Sequence, residues 1–178
     1  MYHIEAESIY LRALEPEDLE WLYLIENDGN PWSAAGPHTP VSRYAIKQYI
    51  ANQPQDIYQC QELRMAICLK ESNTPIGVID LTDYQPHHGR AEIGITILSS
   101  HQKKGYGKQA LKIFTEFAEK NIRLHQIYAY VIAQHNKAAS NLFQSVGYTP
   151  IAKLPEWHFA EGKYADAIIF QKKIEKNP

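Results

Sequence analysis

A turn with two glycines and three lysines, at positions 99–108, holds the residues whose types and spacing best suit chemistry. The residues before it, 91–98, alternate between apolar and other side chains, which is typical of a strand. After it, apolar residues recur at three- and four-residue steps from Leu111 to Ile122, which predicts a helix. Backbone N–H groups at a helix start bind anions, and glycine leaves them accessible because it lacks a Cβ atom. The turn therefore predicts an anion site, whose positive charge is increased by Lys103, Lys104 and Lys108.

A carboxylate in the strand before this turn, Glu92, is the candidate general base. If Ile93 faces the core helix, Glu92 faces the opposite side of the sheet, because side chains alternate along a strand. Partial burial among apolar neighbours raises the pKa of a carboxyl group toward the range in which it accepts a proton from a substrate. The alternative is a structural ion pair with Arg90 or Arg64 on the sheet surface. The sequence leaves both interpretations open.

Acidic and aromatic residues near the end of the first predicted helix are candidates for binding a substrate. Glu26 and Asp28 precede a proline-rich loop, and their negative charge favours a cationic substrate. The alternative is that they belong to a solvated helix face. Trp32, within that loop, is the third candidate for the substrate site. Tyr44 and Trp157 line either an acceptor pocket or the core, and the sequence favours neither.

The composition limits the class of protein. A chain of 178 residues, 44% hydrophobic and 21% charged, fits a single domain over 1–178. Its formal net charge of −2 argues against general nucleic-acid binding. No apolar run reaches membrane-spanning length and the first residues lack a signal-peptide pattern, so we expect no membrane partner and a cytoplasmic location. Cys60 and Cys68 do not suggest a disulfide framework, and the adjacent His87 and His88 lack a third ligand, so no metal is expected.

The periodicities predict a mixed sheet covered by helices. Strands are predicted at 8–12, 63–69, 76–81, 91–98, 127–132, 148–151 and 164–172, and helices at 15–26, 42–52, 107–122 and 136–146. Short connections predict an antiparallel meander through the second, third and fourth strands. The fifth strand follows a helix and should return parallel to the strand before that helix. The predicted fold class is α/β, or mixed α+β, with about seven mostly antiparallel strands and about four helices.

Two motifs, in this order along the chain, resemble the Gcn5-related N-acetyltransferase (GNAT) superfamily. Gln102-Lys-Lys-Gly105-Tyr-Gly107 matches the family's Gln/Arg-x-x-Gly-x-Gly/Ala signature for acetyl-CoA, and it lies between a strand and a helix. One strand later, the segment that begins at Asn136 resembles the family's Asn-x-x-Ala…Leu-Tyr-x-x-x-Gly-Phe motif. The ending, 157–168, most resembles the branch with spermidine and ribosomal-protein N-terminal acetyltransferases. The resemblance also implies that the central parallel strands splay apart.

The resemblance implies transfer of an acetyl group from acetyl-CoA to an amine. It implies that backbone amides of the strand before the signature polarise the thioester and hold the pantetheine arm, while amides of the glycine turn hold the pyrophosphate. The second motif is expected to contact CoA as well. The residues so assigned to the cofactor are Ile95, Thr96, Ile97, Leu98, Gln102, Lys103, Lys104, Gly105, Tyr106, Gly107, Lys108, Asn136, Ser140 and Phe143.

Position 143 departs from the family pattern, which often has a tyrosine there that protonates the departing thiolate. Phe143 cannot donate a proton. A thiol of pKa about 8.5 still leaves without full protonation, and a general acid is worth about 10²–10⁴ in rate. We therefore expect activity with the proton donor unassigned. Nearby hydroxyl groups, for each of which a structural role is the first interpretation, belong to Ser140, Ser145, Tyr128, Tyr130 and Tyr148.

Three hypotheses for the function follow from these residues. The first is an N-acetyltransferase that uses acetyl-CoA and acts on a small polyamine or diamine, which suits the acidic first helix. The second is an N-acetyltransferase that acts on a protein N-terminus. The third is a non-catalytic acyl-CoA-binding sensor, whose support is the residue at position 143. Assembly into a homo-oligomer is left open.

Overall fold

The computed structural model describes residues 4–28, 39–52 and 56–174. Within them, eight strands form one sheet in the order β1-β2-β3-β4-β5-β6-β8-β7. The strands are β1 (Ile4–Glu5), β2 (Ile9–Arg12), β3 (Leu63–Leu69), β4 (Pro75–Gln85), β5 (Arg90–Ile97), β6 (Gln126–Val131), β7 (Thr149–Ala160) and β8 (Lys163–Lys173). The helices are α1 (Leu19–Glu26), α2 (Arg43–Ala51), α3 (Ile57–Cys60), α4 (Tyr106–Phe117) and α5 (Lys137–Ser145).

The predicted topology is confirmed. β3, β4 and β5 pair antiparallel as a meander, and β8 pairs antiparallel with both β6 and β7. β5 and β6 pair parallel, and α4 connects them, because a parallel neighbour needs a crossover rather than a hairpin. The sheet is therefore mixed and mostly antiparallel, and one parallel pair lies at its centre.

Two short elements raise the counts above the predicted seven strands and four helices. β1 has two residues and α3 has four, and neither is long enough to show a periodicity. β1 forms because it pairs with β2. α3 begins at Asp56, whose side chain accepts a hydrogen bond from the backbone N–H of Tyr58. β1 thus depends on pairing that a local pattern does not report, whereas α3 has a local cap but is too short for a periodicity.

The bounds of β7 differ most from the prediction, which ended this strand at 151. The strand continues to Ala160 and includes Pro150 and Pro155. Proline is tolerated here because β7 is an edge strand, so a missing N–H group removes no bond to a further strand. The register with β8 also shifts twice along the strand, which disturbs the alternation on which the prediction depended.

Helices cover both faces of the sheet. On one face, Ile93 of β5 and Ile127 of β6 share a buried cluster with Phe114 of α4. On the other face, Val78 of β4 belongs to a second buried cluster with residues of α1 and α2. Since Ile93 lies on the α4 face, the adjacent Glu92 faces the α1 side, as predicted.

A buried carboxylate anchors the start of α1 to the sheet. Asp18 accepts hydrogen bonds from Arg12 at 2.6 and 2.8 Å, from Trp21 Nε1 at 2.6 Å and from the backbone N–H of Glu15 at 2.7 Å. Burial raises the pKa of Asp18, but these donors outweigh burial and hold the pKa below its usual range. The carboxylate is therefore ionised at neutral pH and joins β2 to α1.

Candidate active site

The central parallel strands separate after three residues. β5 pairs with β6 only from Arg90 to Glu92, whereas its pairing with β4 continues to Ile97. No described residue of β6 pairs with 94–97, which confirms the predicted splay. Backbone N–H and C=O groups of a strand alternate between its two neighbours, so half of those groups in this part of β5 face the opening. We call the opening between residues 94–97 and β6 the donor gap.

The glycine turn closes one end of the donor gap. Gln102 Nε2 donates a 2.9 Å hydrogen bond to the carbonyl oxygen of Ile97, which ties the turn to the end of β5. Lys103 and Gly105 take left-handed conformations, with φ of 60° and 83°, and Gly105 is the N-cap of α4. A Cβ built on Gly105 has no atom within 4 Å, so the space over this helix start is open.

The charge of the turn matches its shape. Lys103, Lys104 and Lys108 are all exposed around the start of α4. No side chain caps the helix, so its first N–H groups point toward the open space over Gly105. Exposed lysines and helix N–H groups together fit an anion such as a pyrophosphate.

The second motif lies beside the first. The side chain of Asn136 caps α5 by accepting a 3.0 Å hydrogen bond from the N–H of Ala139, and Ser140 Oγ donates to the Asn136 carbonyl at 3.4 Å. A Cβ built on Gly107 would lie 3.5 Å from Leu142, so α4 and α5 are in close contact here. The polar side chains of this motif thus bond within the start of α5, and the capping role of Asn136 is the one that an asparagine before a helical segment predicts.

Phe143 is 4% exposed and lies in the core beneath α5. Its ring stacks on Phe170 with a centroid distance of 6.1 Å and meets Tyr148 edge-on at 5.2 Å. The Tyr148 hydroxyl is 2.9 Å from Thr115 Oγ1 in a buried pair, and burial raises the pKa of Tyr148 above its ordinary value. Tyr148 therefore has a structural hydroxyl, which makes it unsuitable as the missing proton donor.

Glu92 is half-buried at the narrow end of the donor gap. Its Cα is paired with Thr82 on β4 and with Tyr128 on β6. None of the side chains in the described residues forms a hydrogen bond or ion pair with its carboxylate. The ion pairs considered as the alternative are absent, since Arg90 donates to Gln85 at 2.8 Å and Arg64 is engaged elsewhere. Burial, assisted by the negative charge of Asp83, raises the pKa of Glu92.

Three aromatic side chains extend from Glu92 along the same face, and we call them the aromatic wall: Tyr128, Tyr130 and Trp157. The two tyrosine rings meet edge-on at 5.7 Å, and Tyr130 stacks on Trp157 at 6.0 Å. Trp157 is 59% exposed, so it belongs to this surface rather than to the core. The sequence signal for the wall was the alternation of Tyr128 and Tyr130 on the strand parallel to β5. Tyr44, which is 73% exposed on α2, is in neither the core nor the wall.

The predicted substrate residues near the end of α1 have different environments. Glu26 forms a 2.7 Å ion pair with Arg64, which also binds Asp80 at 2.5 Å. This network joins α1 to β3 and β4, and the sequence did not predict it. Asp28 is exposed just beyond α1. Trp32 lies outside the described residues.

The structure adds three facts about the remaining side chains. Cys60 and Cys68 are both free thiols, and Cys68 is buried. Within 4–28, 39–52 and 56–174, no group of three or more His, Cys, Asp or Glu side chains is placed to hold a metal ion. The rings of His87 and His88 meet edge-on, with their centroids 5.0 Å apart. In the same ranges, every helix is too short or too polar to cross a membrane.

The chain matches the family model for the acetyltransferase (GNAT) domain over residues 8–149, so it belongs to the GNAT family of N-acetyltransferases. A curated relative, spermidine N(1)-acetyltransferase of Vibrio cholerae serotype O1, is 28% identical over 89% of each chain. The structure of a Vibrio cholerae spermidine N-acetyltransferase in complex with CoA and spermine is 25% identical, with a TM-score of 0.84 over 93% of this chain and 95% of that chain. Another structure of a Vibrio cholerae spermidine N-acetyltransferase is dodecameric, with a TM-score of 0.78 and 24% identity over 93% of this chain and 94% of that chain. The ribosomal L7/L12 alpha-N-protein acetyltransferase in complex with CoA shares the fold, with a TM-score of 0.85 and 17% identity over 97% and 98% of the two chains.

Proposed function

We propose that the protein transfers the acetyl group of acetyl-CoA to a primary amine of a small diamine or polyamine, by direct attack of the amine in a ternary complex. One observation carries the proposal. Glu92 is a half-buried carboxylate without a partner among the described side chains, and it lies between the donor gap and the aromatic wall. The names of the relatives support the acceptor class, because they act on spermidine or were crystallised with spermine.

On the donor side, this chain fits CoA through its backbone. The open helix start at Gly105 and its exposed lysines suit the pyrophosphate. The backbone groups of Ile95, Thr96 and Ile97 that face the donor gap suit the pantetheine arm, which carries amide groups of its own. Leu98 stays a prediction for this role, because its N–H is bonded to the carbonyl oxygen of Ile76 and its own carbonyl oxygen accepts from the N–H of His101. Acetyl-CoA supplies the acetyl group as a thioester. The N–H groups in the gap stabilise the negative charge that develops on the carbonyl oxygen during attack.

On the acceptor side, Glu92 takes the proton that the ammonium group must lose before its nitrogen can attack. The raised pKa of Glu92 makes the carboxylate a stronger base than an exposed glutamate. The nitrogen forms a bond to the acetyl carbon, the carbon–sulfur bond breaks, and the sulfur leaves as a thiolate. The nitrogen then loses its second proton to solvent, which leaves a neutral amide. Since Phe143 has no proton to donate, we propose that solvent protonates this thiolate.

The surroundings of Glu92 suit a cationic acceptor. Asp83 supplies a second carboxylate, and aromatic faces attract ammonium groups. The role predicted for Glu26 is weakened by its ion pair with Arg64, which engages its carboxylate. Asp28 and Trp32 stay predictions for the substrate site. The acceptor is thus proposed to bind mainly along β5 and β6.

The test follows the release of free thiol from acetyl-CoA with a panel of acceptors. The panel holds diamines, polyamines, monoamines and peptides with a free N-terminus, each assayed with the wild type and with Glu92→Gln. Fast release with diamines or polyamines supports the proposal. Release with peptides alone favours the protein N-terminal acetyltransferase. An unreactive protein whose melting temperature still rises with acetyl-CoA favours the non-catalytic sensor, for which Phe143 is the supporting residue.

We also propose that the chain is one domain, lies in the cytoplasm and forms a homo-oligomer. The support for assembly is an exposed apolar pair on the β7–β8 hairpin, where Phe159 and Tyr164 are 54% and 66% exposed with rings 4.9 Å apart, together with the dodecameric relative. Light scattering after size-exclusion chromatography measures the assembly. A monomeric mass at micromolar concentration contradicts it, and Phe159→Ser is the variant expected to dissociate it.

A further inference from the structure

An irregularity in β4 brings Asp83 close to the candidate base. The pairing of β4 with β5 is regular as far as Thr82 and resumes only at Gln85. Asp83 lies inside this bulge with a φ of 47°, a left-handed conformation that few residues other than glycine, asparagine and aspartate adopt. Bulges often redirect a side chain next to an active site. Here the redirected side chain is a carboxylate.

The Asp83 carboxylate reaches across β5 to the next strand. It accepts a 2.6 Å hydrogen bond from the hydroxyl of Tyr128 on β6 and a 2.9 Å hydrogen bond from Gln85 Nε2. Thr82, Glu92 and Tyr128 are in register on the three adjacent strands. A bond from the residue after Thr82 to Tyr128 must therefore pass beside the Glu92 side chain, which shares their face.

The other charged groups that face Glu92 already have partners. On β5, Arg90 donates to the side-chain oxygen of Gln85. On β4, Asp80 lies diagonally opposite Glu92 and is paired with Arg64. On β6, Tyr128 and Tyr130 are neutral donors, and burial raises the pKa of both hydroxyl groups. Among the described residues, no cation forms an ion pair with Asp83. Asp83 is thus the charged neighbour of Glu92 that has no ion-pair partner there.

We propose that Asp83 is a positioning residue for the acetyl transfer: its carboxylate holds the Tyr128 ring as the first part of the aromatic wall and keeps a negative charge beside Glu92. The proposal rests on the proposed function, in which Glu92 is the base. The hydrogen bonds from Tyr128 and Gln85 lower the pKa of Asp83, so it is an anion at neutral pH. Its charge disfavours ionisation of Glu92 and so strengthens Glu92 as a base.

Two variants separate the charge of Asp83 from its hydrogen bond. Asp83→Asn removes the charge and keeps a carbonyl oxygen that accepts from Tyr128. Tyr128→Phe removes the hydrogen bond and keeps the charge. Glu119→Gln is the matched control, because Glu119 is an exposed acid in the π-helical segment Ala118–Ile122 that follows α4, outside the proposed site.

The readouts are the acidic limb of kcat/KM against pH and the titration of the Glu92 carboxyl carbon by NMR, assigned from its loss in Glu92→Gln. Asp83→Asn should move both midpoints to lower pH, by less at high salt, since Asp83 is exposed. Tyr128→Phe should leave the midpoints in place and raise the KM for a diamine roughly two- to tenfold. Glu119→Gln should change neither quantity.

Unchanged midpoints in Asp83→Asn overturn the electrostatic part of the proposal, and an unchanged KM in Tyr128→Phe overturns the positioning part. The failure of the proposed function looks different. In that case Glu92→Gln keeps the full rate at every pH, and the inference is lost with the base. The NMR midpoint then reports only whether Asp83 influences Glu92, independently of activity.

Discussion

Replacing Gly105 by alanine tests the donor site with a matched control elsewhere in the chain. Gly105 and Gly162, which lies in the β7–β8 turn, have φ of 83° and 76°, and a Cβ built on either has no atom within 4 Å. Alanine at such a φ costs about 1–2 kcal/mol of conformational energy. Both variants should therefore lose similar unfolding free energy, measured by urea denaturation. Neither loss comes from a clash.

The two variants should differ only in their binding of CoA. The Cβ at position 105 occupies the open space over the first N–H groups of α4, where the proposed pyrophosphate approaches. Losing one hydrogen bond to a charged group costs about 1.5–3 kcal/mol, and each 1.4 kcal/mol is about tenfold in Kd. Gly105→Ala should thus weaken CoA binding roughly ten- to a hundredfold.

Isothermal titration calorimetry at fixed salt measures this affinity for the wild type and both variants. Gly162→Ala should bind CoA like the wild type, because its turn is part of the β7–β8 hairpin and not of the donor gap. If Gly105→Ala also binds CoA with wild-type affinity, the anion site is not at this helix start, and the argument from the two glycines is refuted.

Three further variants test the base, the anchor of α1 and the aromatic wall. Glu92→Gln should lower kcat by about 10²–10⁴-fold. The wild-type rate should fall with decreasing pH at a midpoint above the ordinary carboxyl pKa, because burial raises the pKa of Glu92. Rate–pH profiles of the wild type and the variant measure both effects. Asp18→Asn should lower the unfolding free energy at pH 7 by about 1.5–3 kcal/mol, since Arg12 loses a charged partner. The pKa of Asp18 is lower in the folded state than in the unfolded state. The difference in unfolding free energy between the wild type and Asp18→Asn should therefore narrow as the pH falls through the folded-state pKa, which urea titrations at several pH values measure. Trp157→Ala should raise the KM for a diamine while the unfolding free energy falls by only about 0.5–1.5 kcal/mol, because only the stack on Tyr130 is lost.

Each of these three results has a contrary outcome. If Glu92→Gln keeps the wild-type rate–pH profile, the general base is a different residue. If the difference in unfolding free energy between the wild type and Asp18→Asn grows as the pH falls, the pKa of Asp18 is not lowered by folding. A Trp157→Ala variant with an unchanged KM for the diamine removes this tryptophan from the acceptor site.

The parts that the sequence predicted are those encoded by neighbours along the chain. The strand, the glycine turn and the helix around Gly105 follow from local periodicity and from glycine's access to positive φ. The parallel return of β6 follows from the crossover rule. Even the orientation of Glu92 needed only the alternation of side chains along one strand.

The parts that the sequence did not predict depend on the register between distant strands. Arg64 meets Glu26 across 38 positions, and Asp83 meets Tyr128 across 45. No local pattern reports which residues face each other after β4, β5 and β6 have paired, and the bulge at Asp83 further shifts that register. The acidic first helix suggested a cation-binding role for Glu26, whereas in the folded chain its carboxylate is bound to Arg64.

The spacing between Glu92 and the donor gap has a consequence for how the enzyme keeps its reactants aligned. In the proposed arrangement the base and the thioester-binding amides belong to one continuous strand, and Glu92 and Ile95 are about 10 Å apart along it. Their distance does not depend on a loop or on the docking of two helices. A single residue inserted between them would turn Glu92 toward α4 and leave the backbone amides in place. If Glu92 is the base, such a variant should bind CoA and be unable to acetylate, and the length of this short stretch is then itself part of the catalytic apparatus.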